Sequence, residues 1–122
     1  MTKEDRELLL KDLCARLPYR VLVQSVNSTY PTPLTASLLN NYSYMEDIYC
    51  KPYLRPMSSM TDEERKEYES LIFTNYHHST HTQYIEINEV DYYIDWLNSK
   101  HFDYRNLIEK KLALEAPEGM YN

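Results

Sequence analysis

The chain has 122 residues, the size of one domain. Its 43% hydrophobic content includes 13 tyrosines, whose hydroxyls need partners or water. Its one glycine, Gly119, excludes dinucleotide-binding fingerprints, phosphate loops and nucleophile elbows, and a net charge of −6 argues against direct nucleic-acid binding.

Thr2 followed by Asp5 imitates a capping box, with Asp in the place of the usual Glu. Leu9, Leu10, Leu13, Cys14 and Leu17 recur at helical spacing and Pro18 ends the pattern, which predicts a first helix over 2–17. Val21, Leu22, Val23 and Val26 suit a strand. Asn27 to Pro33 is turn chemistry, Leu34 to Leu39 a second strand, and Tyr44 to Tyr49 a third. Lys51 to Ser59 is extended, because Pro52 and Pro56 block a helix. Thr61 to Glu64 is a fuller capping box, and Tyr68, Leu71, Ile72 and Tyr76 continue it as a helix over 61–76. His77 to Gln83 reads as a polar loop. Val90, Tyr93, Ile94 and Leu97 predict a helix over 89–99, and Asp103 caps a short further helix stapled by Phe102 and Leu107. The expected fold is a single α+β domain over 1–122: an N-terminal helix, a small antiparallel β-meander, then about three helices.

Charge is segregated along the chain. No Lys or Arg occurs from Glu67 to Ser99, where Glu67, Glu69, Glu86, Glu89, Asp91 and Asp95 lie, and Val21 to Met45 has no charged residue at all. An acidic stretch beside a neutral, tyrosine-containing one is a layout for protein contact, and its bland counterpart is a solvated face beside a β region. Cys14 and Cys50 read as free, buried thiols in a reducing cytoplasm. The charged N-terminus does not resemble a secretory signal, and no apolar run approaches the ~20 residues of a membrane span.

His77, His78 and His81 are the best metal candidates, but no acidic residue lies between them as in a metalloprotease helix, and a solvated loop explains them. No metal site and no cofactor are expected. Glu63 and Glu64 are explained as cap charges, Asp91 and Asp95 as a solvated face at i, i+4, and Cys14 as helix packing. The chain is therefore not expected to be an enzyme. Tyr42, Tyr44, Tyr49 and Tyr53 cluster in mid-chain, and Tyr92-Tyr93 sit side by side on a helix, so at least one ring faces outward. Tyrosine is enriched at interfaces, although a tyrosine-heavy core and rim accounts for many of these rings.

Lys51 to Glu64 and Trp96 to Ile108 resemble a family of small uncharacterised proteins of gut Bacteroides-like bacteria, their phages and mobile elements. Leu8 to Tyr19 and Leu112 to Asn122 fit the same group, so the resemblance covers about half of the chain. It implies a phage- or mobile-element-associated accessory protein, with the shared segments as scaffold and the variable middle as the place for binding. No activity comes with the family, so no catalytic residue carries over.

The sequence thus points to a non-enzymatic binding or adaptor protein that contacts another protein, with a host defence component as a specific form of partner. The expected surface is Tyr42, Tyr44, Tyr49 and Tyr53, or Asp91, Tyr92 and Asp95. The alternative is a small-ligand binder that sequesters a nucleotide by tyrosine stacking, with Arg20, Arg55 or Arg105 on the phosphates. A homo-oligomer fits either.

Overall fold

The first helix, α1 (Lys3–Arg16), starts at a complete capping box: Asp5 N–H donates to Thr2 Oγ1 at 3.0 Å and Thr2 N–H donates to Asp5 Oδ2 at 3.3 Å. The computed structural model describes residues 2–25, 30–43, 50–78 and 87–121, with 41–43, 73–78 and 87–91 in backbone only. The buried face of α1 is Leu9, Asp12, Leu13 and Arg16, at i, i+3, i+4 and i+7. That face is rotated from the all-apolar stripe. Cys14, expected to be buried, is exposed, because a buried ion pair takes the inward positions that the hydrophobic pattern alone would not assign.

A 3-10 turn at Leu17–Tyr19 ends in Arg20 at φ 56, a left-handed residue that redirects the chain into β1 (Leu22–Ser25). The next strand, β2 (Thr32–Pro33), lies antiparallel to β1, with Val23 opposite Thr32. Leu34–Leu39 is not a strand. Thr35 accepts the Leu38 N–H on Oγ1 at 3.1 Å and so opens α2 (Ala36–Ser43), which places Leu38 and Leu39 against the core. The strand expected over Tyr44–Tyr49 lies outside the described residues.

The central strand is β3 (Cys50–Pro56), which pairs antiparallel with β1. Its prolines keep it extended, and Pro52 faces Val23 in the ladder. Then come α3 (Asp62–His78) and α4 (Ile87–Ser99), two helices that pack together; His77 and His78, expected in a loop, extend α3. After α4, β4 (Phe102–Asp103) and β5 (Leu114–Glu115) both add to β3 in parallel. The fold is α+β, with strand order β2-β1-β3-β4 and β5 also on β3. The antiparallel meander is therefore only part of a mixed sheet.

The helix expected after Asp103 is a series of turns. Asp103 does cap the segment, accepting Leu107 N–H at 2.8 Å and Ile108 N–H at 2.9 Å. Asn106 and Lys111, at φ 62 and 64, interrupt helical geometry. The core behind these turns contains Leu9, Leu13, Val21, Val23, Leu34, Cys50, Leu54, Leu107, Leu112 and Ala113. Phe102 is fully buried but stacks on Trp96 at 5.9 Å, and Trp96 stacks on Tyr68 at 5.5 Å, joining β4, α4 and α3.

Asp12 and Arg16 are both fully buried, 2.8 Å apart. Arg105 reaches the other oxygen of Asp12 at 2.7 Å, and Arg16 Nη2 donates to the Phe102 carbonyl at 2.7 Å. The guanidiniums of Arg16 and Arg105 both lie over the Tyr104 ring, at 5.1 and 4.8 Å from its centre. Removing one partner of a buried pair leaves the other charge uncompensated. Asp12→Ala is expected to lower unfolding free energy by about 3–5 kcal/mol, read from urea denaturation. A loss below about 1 kcal/mol, the range of an exposed pair, contradicts this account of the pair.

Candidate functional site: a polar cleft at the end of the sheet

Strand β3 ends in Arg55 and Pro56 where the N-terminus of α3, the C-terminus of α4 and the segment after β5 converge. Together they enclose an open cleft of about 850 Å³, within the range of ligand and peptide sites. One wall is Ser59, Thr61 and Glu64. A second is Ser99, Lys100 and His101, and the third runs from Glu115 to Tyr121.

Arg55 organises the floor. Its guanidinium grips the Glu64 carboxylate through Nη1 at 2.8 Å and Nη2 at 2.7 Å, and it lies over the Phe102 ring at 4.2 Å. Its backbone N–H donates to the His101 carbonyl at 2.8 Å. Glu64 also closes the α3 capping box, accepting Thr61 N–H at 3.1 Å and donating its own N–H to Thr61 Oγ1 at 3.1 Å. The hydrogen bonds from Arg55 hold the Glu64 carboxyl down at about 2, against the opposing effect of burial.

His101 adopts φ 66 at the exit of α4, which turns its ring onto Tyr121 with centroids 3.8 Å apart. Burial, then the charges of Arg16 and Arg55, push the imidazole down to about 4, so it is neutral at physiological pH. Its Nδ1 has no hydrogen-bond partner among the described residues. The Tyr121 hydroxyl accepts from Leu22 N–H at 3.0 Å and donates to the Tyr53 carbonyl at 2.7 Å, and burial raises it to about 12. Gly119 takes φ 85 in the turn closed by Met120 N–H to the Pro117 carbonyl, a conformation that a Cβ would disfavour.

The sequence-expected residues are distributed differently. Tyr42 and Asp91 lie in α2 and α4, described in backbone only; Tyr44 and Tyr49 lie outside the described residues. Tyr53 is half-buried in β3 and donates to Gln24 Oε1 at 3.1 Å. Tyr92 is 62% exposed on α4, and Asp95 is exposed one turn on. Asp95 accepts a hydrogen bond from Tyr19; burial first, then this carboxylate, raises the Tyr19 phenol. Arg20 is exposed, Arg105 is bound to Asp12, and only Arg55 of the three arginines lines the cleft.

Glu118 and Tyr121 were not singled out from the sequence. The one available signal was the Pro117-Glu118-Gly119 turn, which brings Tyr121 back toward the sheet. Among the described residues no group of three or more His, Cys, Asp and Glu is placed to hold a metal; His81 is outside them and the side chains of His77 and His78 are not described. Burial pushes the Cys50 thiol up to about 12, so it is not a nucleophile at neutral pH.

The depressed His101 and Glu64 values both make the fold acid-sensitive, in separate windows. A neutral His101 contributes stability that is complete above its ordinary 6.5 and is lost as pH falls through about 4. Glu64 contributes stability present above 4.5 and lost as pH falls through about 2. Urea midpoints of the wild type are expected to fall between pH 6.5 and 4. His101→Asn, which tolerates the left-handed backbone, should flatten that limb and leave the lower one. Parallel curves for the two proteins would refute this assignment. No family model, curated protein or solved structure matches the chain.

Proposed function

We propose that the protein is a non-enzymatic binding protein that acts by contact with another protein, and that the cleft between α3, α4 and the segment after β5 receives part of that partner. The observation that carries this reading is the state of the charges in the cleft. The Arg55 guanidinium is bound in a fork to Glu64, and the imidazole of His101 is held neutral. Lys100 is the remaining cation of the lining, while Glu115 and Glu118 stand exposed on the facing segment. Such a lining supplies hydrogen bonds and mixed charge for a polypeptide better than a clamp for phosphates. It also favours a protein partner over a nucleotide, since Arg55 and Arg105 are both committed to carboxylates.

The exposed Tyr92, one turn from Asp95 on α4, offers a second contact surface of the kind found at interfaces, a rigid ring with an acidic neighbour. The resemblance to accessory proteins of phages and mobile elements makes a host defence component the first partner to test.

A photo-cross-linking residue placed at Glu118 or at Tyr92 is expected to yield discrete heavier adducts in host-cell lysate, and one at the exposed Glu7 of α1 none. Native mass spectrometry of the purified protein should show the bare chain mass or its multiple. Equal labelling from all three positions, or a retained molecule of nucleotide size, would overturn this reading.

A further inference from the structure

Strands β1 and β3 place Val23 opposite Pro52, Gln24 opposite Lys51 and Ser25 opposite Cys50. Antiparallel ladders alternate hydrogen-bonded and non-hydrogen-bonded pairs. Pro52 has no N–H, so its pair with Val23 falls on a non-bonded step. One step further, Leu22 would face Tyr53 with its N–H directed at the Tyr53 carbonyl. The paired register stops short of that step, and the Tyr121 hydroxyl occupies it, accepting from Leu22 and donating to Tyr53. On the opposite edge of β3, away from β1, lies β5, with Leu114 opposite Tyr53, Glu115 opposite Leu54, and Ala116 N–H on the Leu54 carbonyl at 2.8 Å.

We propose that residues 114–121 form a displaceable strap. The strap occupies the edge of β3 to which an extended segment of the partner protein pairs, and the Tyr121 hydroxyl is its latch. This rests on the partner-binding reading of the cleft and specifies the partner as an extended strand running parallel to β3.

Three features support displacement. When Tyr121 withdraws, Leu22 N–H and the Tyr53 carbonyl can bond directly, so that donor and acceptor are satisfied in both states, and the Leu54 carbonyl released by Ala116 is left for the incoming strand. No residue from Leu114 to Tyr121 is buried, whereas Leu112 and Ala113 just before them are, at 4% and 5% exposure, so the strap has a fixed root, and Tyr121 packs against the core from its far end. What holds it is short: a two-residue ladder, the Ala116 bond, and the Tyr121 side chain through its hydroxyl, its stack on His101 and its packing on the core. Its departure would open the third wall of the cleft and bare the ring of His101 and the edge of β3 together. Main-chain hydrogen bonds along such an edge bind a strand with little demand on its sequence.

Amide exchange followed by NMR on the full chain tests the latch. Tyr121→Phe keeps the ring for His101 and removes the hydroxyl. Ala116 should then exchange about tenfold faster, the scale of one net hydrogen bond, while Leu22 stays protected because the Tyr53 carbonyl takes its N–H. A Leu22 amide that loses protection while Ala116 is unchanged would show a merely structural hydroxyl and overturn the latch. The stand-in is tested with a labelled peptide of residues 113–122 titrated into both full-length proteins. It should bind Tyr121→Phe about tenfold or more tighter than the wild type, in which the chain's own strap competes. Equal affinities, or no binding to the variant, would sink it. Neither measurement uses a partner, so they can fail while cross-linking from Glu118 succeeds, or the reverse.

Discussion

Two arginines clamp one short stretch of backbone, and the arrangement of the second half of the chain follows from it. Arg55 donates its main-chain N–H to the carbonyl of His101 and lays its guanidinium over Phe102. Arg16, from α1, donates to the carbonyl of Phe102. The stretch is thereby fixed against β3 on one side and against α1 on the other. This position ends α4, starts β4 and turns His101 toward Tyr121. The fully buried Arg16 guanidinium needs a counter-charge, which Asp12 provides, and the half-buried Arg55 finds its own in Glu64. The cost of removing those charges from water is offset only because the carboxylates meet good geometry: Asp12 receives two arginines, and Glu64 receives a fork plus its own helix cap.

The cleft inherits its character from this clamp. A guanidinium already paired is a weak receptor for phosphate, and an imidazole set near two positive charges resists a third. What faces solvent is a polar surface of mixed sign, bordered by a segment of chain held by few contacts. That combination suits recognition of a polypeptide, in which many modest hydrogen bonds and shape decide affinity, more than recognition of a compact anion. The acidic α4 surface around Tyr92 and Asp95 lies apart from this lining and can serve the same partner or a different one.

Local rules carried the sequence reading as far as local rules act. Both capping boxes are encoded within four residues, and both form as written. The prolines of 51–59 announce an extended chain, and β3 is there as far as Pro56, after which Met57–Ser59 form a 3-10 turn. The failures lie where the deciding partner is distant or small. Leu34–Leu39 has the composition of a strand, but one threonine hydroxyl at position 35 starts a helix. The parallel strands β4 and β5 are two residues each, too short for any periodicity to register, and exist because β3 has an open edge. Asp12 and Arg16 look like a solvated i, i+4 pair and are instead core residues, because Arg105 and Phe102 complete them. The cleft was illegible for the same reason: Arg55, Glu64, His101 and Tyr121 share no motif and are assembled only by the folded chain.

The separation between those partners has a consequence for how the protein is made. Arg16 waits for a carbonyl 86 positions later, and Asp12 for an arginine 93 positions later. The first half of the chain, leaving the ribosome alone, carries a helix with two charges on its inward face and a central strand with an unfilled edge. It has no reason to bury either. Consolidation therefore belongs to the last twenty or so residues, and contacts this remote in sequence make for slow, late and cooperative folding. Until then the nascent segment presents the β3 edge to whatever strand arrives first, and a chaperone or a neighbouring nascent chain competes for the place that β4 and β5 later fill.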